Sequence, residues 1–249
     1  ASASNTQGGS RMREFRPYGS VRGAPSDGRP QFIVALAMAA PHLVPHGSRT
    51  LGPVFAWPRG IVLVIGVLCF IGFLAAGVVL DWSAVFLTSG HGMATSYAGL
   101  GYAVFALTAT LGRLTGDRIV QRIGGGNTIM FGGLCAASGF ALTTLPQSWH
   151  GVLAWQAALL GYALVGVGCA NIVPVLFTAV GRQTVMSGNV AVPAITTLGY
   201  AGILVGPAAI GFVAHAFSLS AAFLIVAVML CGVAASDGCC GSDAGGWDH

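Results

Sequence analysis

Between Gly60 and Ala235 the chain carries six charged side chains: Asp81, Arg113, Asp117, Arg118, Arg122 and Arg182. A water-soluble domain draws about a quarter of its residues from Asp, Glu, Lys and Arg, because its surface has to hold water. Here charged residues make up 7% of the chain and hydrophobic ones 55%. A soluble surface cannot be built from that supply, so lipid is the expected solvent. In hydrocarbon each backbone N–H and C=O must find a partner inside the protein, which leaves the α-helix as the expected state of the apolar segments. The 38 glycines would weaken helices in water. In a membrane they let helices approach closely, and the pairs Gly112/Gly116 and Gly202/Gly206 have the four-residue spacing that puts two small residues on one face.

Six spans follow: 60–80, 96–111 with an extension to Thr115, 127–145 closed by Pro146, 152–180 interrupted by Asn171 and Pro174, 192–214 and 219–235. The first has twenty-one residues, which at a 1.5 Å rise cover roughly the 30 Å of a hydrocarbon core. Asp81 and Trp82 are expected to end it at an interface. The fifth is expected to break at Gly199–Gly202 and Gly206–Pro207. The chain therefore divides into a basic arm and Pro-rich linker at 1–59, a transmembrane domain at 60–235 and a polar tail at 236–249. Within the arm, the apolar run 31–40 is too short to cross a bilayer, and residues 1–30 and the tail have the composition of disordered segments.

The arginines fix an orientation. Arg49 and Arg59 precede span one, Arg113, Arg118 and Arg122 lie between spans two and three, and Arg182 lies between four and five. The three alternate loops contain no arginine and offer His91, then Trp149 and His150, then the turn at 215–218. Positive charge is retained on the cytoplasmic side, so both termini are expected there. Five further arginines between Arg11 and Arg29 suit an anionic membrane surface better than a nucleic acid, since several apolar spans follow them.

Chemistry-bearing groups are sparse. The stretch Gly112–Gly124 holds Arg113, Gly116, Asp117, Arg118 and Arg122. It reads as a loop that either fixes topology or clamps neighbouring helices. Asn171 and Pro174 interrupt a span, and proline frees the carbonyl four residues back. Such a break is where transporters bind solutes, although a packed interhelical hydrogen bond uses the same residues. Asp81, Trp82, Tyr102, Tyr200 and Pro207 are further candidates for lining a cavity or forming hinges. No nucleophile–base set occurs and the six histidines are scattered, so an enzyme is not expected. Cys69, Cys135, Cys169 and Cys231 lie in apolar runs and no CxxC is present; no metal site or cofactor is expected. Gly124-Gly125-Gly126 lacks the Lys-Ser/Thr pair of a phosphate loop.

The run Gly112-Arg-Leu-Thr-Gly-Asp-Arg-Ile-Val-Gln-Arg-Ile-Gly124 resembles the cytoplasmic-loop motif of the major facilitator superfamily (MFS), in the copy that follows the second helix of a six-helix half. The stretches Asp81–Leu87, Gly99–Phe105, Gly166–Phe177 and Leu198–Gly211 resemble a bacterial subgroup of uncharacterised, fucose-permease-like inner-membrane facilitators. The resemblance covers about residues 60–235. It implies an all-α membrane protein equivalent to the C-terminal six-helix half of a secondary transporter. Such a protein moves a small organic solute by alternating access, in the bacterial inner membrane. Gly112, Arg113, Gly116, Asp117, Arg118 and Arg122 would form the gating segment. Asn171, Pro174, Tyr200 and Pro207 would shape the cavity and its hinges. The other half would come from a second copy or a separate first-half chain. Two departures stand out: Gly125-Gly126-Asn127 replaces the motif's closing basic cluster, and Ala76 stands where relatives often carry an acid. They leave open the alternative of a truncated, non-transporting membrane remnant or a structural subunit.

Overall fold

The computed structural model describes residues 58, 60–144 and 152–236. The basic arm with its 31–40 run, nearly all of the linker, Pro146, Trp149, His150 and the tail beyond Ser236 lie outside these residues. Among the described residues every regular element is helical. Helix α1 (Ile61–Val85) runs on as a wider turn over Phe86–Gly90, and a short turn at Thr95–Tyr97 leads to α2 (Leu100–Ile123). Then come α3 (Gly125–Thr144), α4 (Val152–Ala170), α5 (Ile172–Arg182), α6 (Gly188–Ala216) and α7 (Leu219–Ala235). Three segments are long and apolar enough to cross a membrane: Ile61–Gly90, Ala154–Arg182 through the α4–α5 break, and Gly188–Ala216.

Packing runs through glycine at nearly every crossing. Helices α1 and α6 lie parallel. Leu198 meets Gly66, the Phe73 ring covers Gly199, and Trp82 lies over Gly211. Helices α2 and α4 are also parallel, with Gly101 beside Tyr162, Gly166 beside Thr108 and Ala109, and Gly112 against Ala170. Helix α3 runs antiparallel to α4, pairing Gly132 and Ala136 with Gly168, and Gly139 with Gly161 and Val165. On its other side Gly133 meets Leu230 and Ala234 of α7. Helix α4 thus lies between α2 and α3. Phe86, Phe140 and Phe223 join α1, α3 and α7, with ring centroids 4.6 Å (Phe86–Phe223) and 5.6 Å (Phe140–Phe223) apart.

The parallel run of α2 with α4, continued by α5, brings their C-terminal ends to one face, so the four arginines of the described residues share one end. Gly60 approaches Val185 in the α5–α6 connection, which sets the start of α1 at that end too. His91 and the end of α3 lie opposite, joined by a contact of 3.2 Å between His91 Nε2 and the Thr143 carbonyl.

Three expectations are corrected. The segment 112–124 is not a loop: α2 continues through Ile123, and the whole connection to α3 is Gly124. Its φ of 81° and ψ of 160° belong to a region essentially reserved for glycine. Its N–H donates to the Val120 carbonyl at 2.9 Å, while its own carbonyl accepts the Thr128 hydroxyl at 2.7 Å. Span one does not stop at Asp81. That side chain is exposed, so its charge points away from the core, and the helix closes only where Met93 N–H reaches the Leu87 carbonyl at 3.0 Å. The fifth span is unbroken, with Pro193 and Pro207 inside α6. Gly199, Gly202 and Gly206 are buried there and form its contact face on α1.

The boundary at Ser218 follows ordinary capping chemistry. Its hydroxyl accepts the Ala221 N–H at 3.0 Å, which satisfies one orphan donor of α7. Between α5 and α6, Gln183 ties off the connection. Its amide donates to the Met186 carbonyl at 2.6 Å and accepts the Met186 N–H at 2.9 Å.

Candidate functional site

Helix α2 presents two different faces. Gly101, Phe105, Ala109, Gly112 and Gly116 are its buried residues, spaced by four, four, three and four, which is one seam along a helix. Arg113, Asp117, Arg118 and Arg122 are all exposed. The seam seats on the α4–α5 break. A methyl at Gly112 would stand 2.7 Å from the Ala170 Cβ, and one at Gly116 would overlap the Asn171 side chain. Asn171 is buried at 9% exposure, and its Nδ2 donates to the Gly112 carbonyl at 3.1 Å. Gly112, Gly116 and Asn171 are therefore assembled into one contact, while the arginines and Asp117 stay exposed beside it.

The other candidates are distributed. Pro174 is exposed one turn beyond the break. Tyr200 is 55% exposed and stacks on Phe73 with ring centroids 5.3 Å apart. It shares a depth with the break, because Ile172 and Val173 pack on Gly72, next to Phe73. Pro207 removes the helical donor for the Ile203 carbonyl, which lies where Gly77 of α1 passes. Asp81 lies nine residues beyond Gly72, about 14 Å along the helix, and Tyr102 ten residues before Gly112, about 15 Å. Neither is brought to the break. Tyr102 pairs with Phe105 at 6.2 Å. Trp82 packs on Gly211, and its Nε1 is buried with no hydrogen-bond partner.

The end opposite the arginines holds a polar cluster that the sequence signals only faintly. Ser83 Oγ, His91 Nδ1 and Tyr162 OH are buried without partners, and Ser83 and Tyr162 both press on Gly101. His91 lies edge-on to Phe86 at 5.1 Å. Thr143, which holds it, could not be found from sequence, since its contribution is a backbone carbonyl that any residue would supply. Burial lowers the His91 pKa from its ordinary value, and the Thr143 carbonyl partly opposes that shift. The folded protein thus resists a proton that the unfolded chain accepts. Stability at this end should be full above about pH 6.5 and fall as pH drops below it. Thermal unfolding of the wild type should weaken from pH 7 to pH 5 relative to His91→Gln. Parallel pH profiles for the two proteins would sink this reading.

No family model matches the chain. Over 185 residues it is 56% identical to an uncharacterized MFS-type transporter of Yersinia pestis, covering 74% of this chain and 47% of that protein. It is 34% identical over 165 residues to the membrane protein MosC of Rhizobium meliloti, covering 66% and 39%. It is 31% identical over 181 residues to an uncharacterized transporter of Sinorhizobium fredii, covering 73% and 46%. The chain spans less than half the length of each of these relatives. All three bear the names of transporters or membrane proteins.

Proposed function

We propose that this multi-pass, MFS-like helical membrane protein is the second six-helix half of a secondary transporter that carries a small organic solute by alternating access. The 56% identity over 185 residues to an MFS-type transporter carries the reading. The geometry supports it in two ways. A broken helix (α4–α5) crosses the middle of the bundle, as transporter helices do at solute sites. Four arginines are gathered at one end, which the positive-inside rule assigns to the cytoplasm of a bacterial inner membrane. In this reading Gly112, Arg113, Gly116, Asp117, Arg118 and Arg122 form the gating segment. Asp81, Trp82, Tyr102, Asn171, Pro174, Tyr200 and Pro207 shape the cavity and hinges.

In this reading a six-helix partner, a second copy or a separate first-half chain, completes the cavity. The exposed apolar residues Leu107 and Leu114 on α2, and Leu204 and Phe212 on α6, at 61%, 76%, 79% and 76% exposure, are the surface it would cover. The test is native mass spectrometry of the chain in nanodiscs, followed by uptake into proteoliposomes from a panel of neutral and weakly polar solutes. A defined dimer or a complex with a six-helix partner, showing saturable uptake of one solute class, is the expected result. A monomer inactive across the panel would overturn the proposal.

A further inference from the structure

We infer that Asn171 is a positioning residue that ties the arginine end of α2 to the α4–α5 break, so that the two shift as one body. An asparagine at a helix N-cap ordinarily accepts the N–H of the second or third helical residue, from an extended backbone. In α5 the third residue is Pro174, which has no N–H. The Asn171 backbone, at φ −109° and ψ −8°, is helical rather than extended, and its side chain makes no cap. The amide is released from local duty and crosses to α2.

There it donates to the Gly112 carbonyl, which also accepts the Thr115 hydroxyl at 3.2 Å. Its oxygen lies over Gly116, where an added methyl would also stand 2.9 Å from the Asn171 Cγ. Glycine at 112 and 116 is what lets α2 sit this close. The proline, the asparagine and the two glycines are thus one device: the first frees the amide, the second spans the gap, and the glycines admit it. Arg113 and Asp117 are exposed on the same two turns, so a force on those side chains is passed to the break by the amide. The inference concerns packing and does not depend on transport.

Hydrogen exchange of the full chain in nanodiscs tests it, read over 112–120, 172–178 and the distant α7. Asn171→Ala should speed exchange in both of the first two segments about tenfold, the scale of one buried hydrogen bond, and leave α7 unchanged. Gly116→Ala should do the same. Combining the two should be less than additive, because the shortened side chain makes room for the methyl. Acceleration confined to 172–178 would overturn the inference, as would a rise that includes α7, or simple additivity. Where Gly116→Ala does not fold, the two-segment response of Asn171→Ala decides alone.

Discussion

Gly168→Ala is expected to lower the melting temperature sharply, while Gly232→Ala leaves it unchanged or raises it. The substitution is the same and both sites are helical, so propensity alone favours alanine at each by up to about 1 kcal/mol. Packing reverses the sign at one of them. A Cβ at Gly168 would lie 2.5 Å from the Ala136 nitrogen and 2.5 Å from the Gly132 carbonyl oxygen, whereas at Gly232 it would meet nothing within 4 Å. Both obstacles at Gly168 are backbone of α3. No rotamer change relieves them, and the helices must separate. Overpacking of this kind costs roughly 1–3 kcal/mol, with the upper end expected here because α3 is also held by α7. Thermal unfolding in detergent or nanodiscs reads the difference. Equal melting temperatures for the two variants would mean that the α3–α4 crossing is looser than described.

On the proposed transport reading, Asp117→Ala is expected to cut uptake by an order of magnitude or more, whereas Gln121→Ala changes it less than twofold. The two residues are one turn apart on α2 and both are exposed, so they report on the same surface. Asp117 lies six residues before the end of α2 at Ile123, outside the last turn in which the macrodipole is felt, so its charge adds little to helix stability. An arginine four residues before it, Arg113, is in the less favourable order for an ion pair. Asp117→Ala should therefore leave α2 as stable as before or slightly more so. Loss of uptake without loss of stability would place the carboxylate's partner outside the described bundle, on the surface that meets the other half. If Asp117→Ala and Gln121→Ala are equally harmless in uptake and unfolding, the segment sets topology and nothing more.

The elements most legible in the sequence were those whose ends are dictated by backbone chemistry. The expected start of the sixth span at 219 coincides with the Ser218 cap of α7, and Pro174 marks the interruption of the fourth span, where α4 gives way to α5 at Asn171. Side-chain polarity misled elsewhere. Charges at Arg113, Asp117 and Arg118 suggest a loop, but a helix end can carry them outward while glycines on its other face stay packed. Asp81 suggests a helix end for the same reason and is simply the exposed side of a continuing helix. Glycine was ambiguous in both directions. Gly124 truly ends a helix, while Gly199, Gly202 and Gly206 are a contact surface. Only the neighbouring backbone, which a sequence does not display, separates these cases. The Asn171–Gly112 bond, spanning 59 positions, could be foreseen as an interhelical bond but not assigned to its acceptor.

The placement of α4 between α2 and α3 has a consequence for how the molecule is made. Synthesis delivers α2 and α3 first, joined only through Gly124, and the helix that separates them comes later. Until α4 emerges, the grooves along Gly112–Gly116 and Gly132–Gly139 have no occupant among the described residues. The early hairpin is a vacant slot, and completing the fold is an insertion rather than a stacking of successive helices. A lesion at Gly161 or Gly168 would then act at birth, by refusing entry to the wedge, as well as by weakening the finished protein.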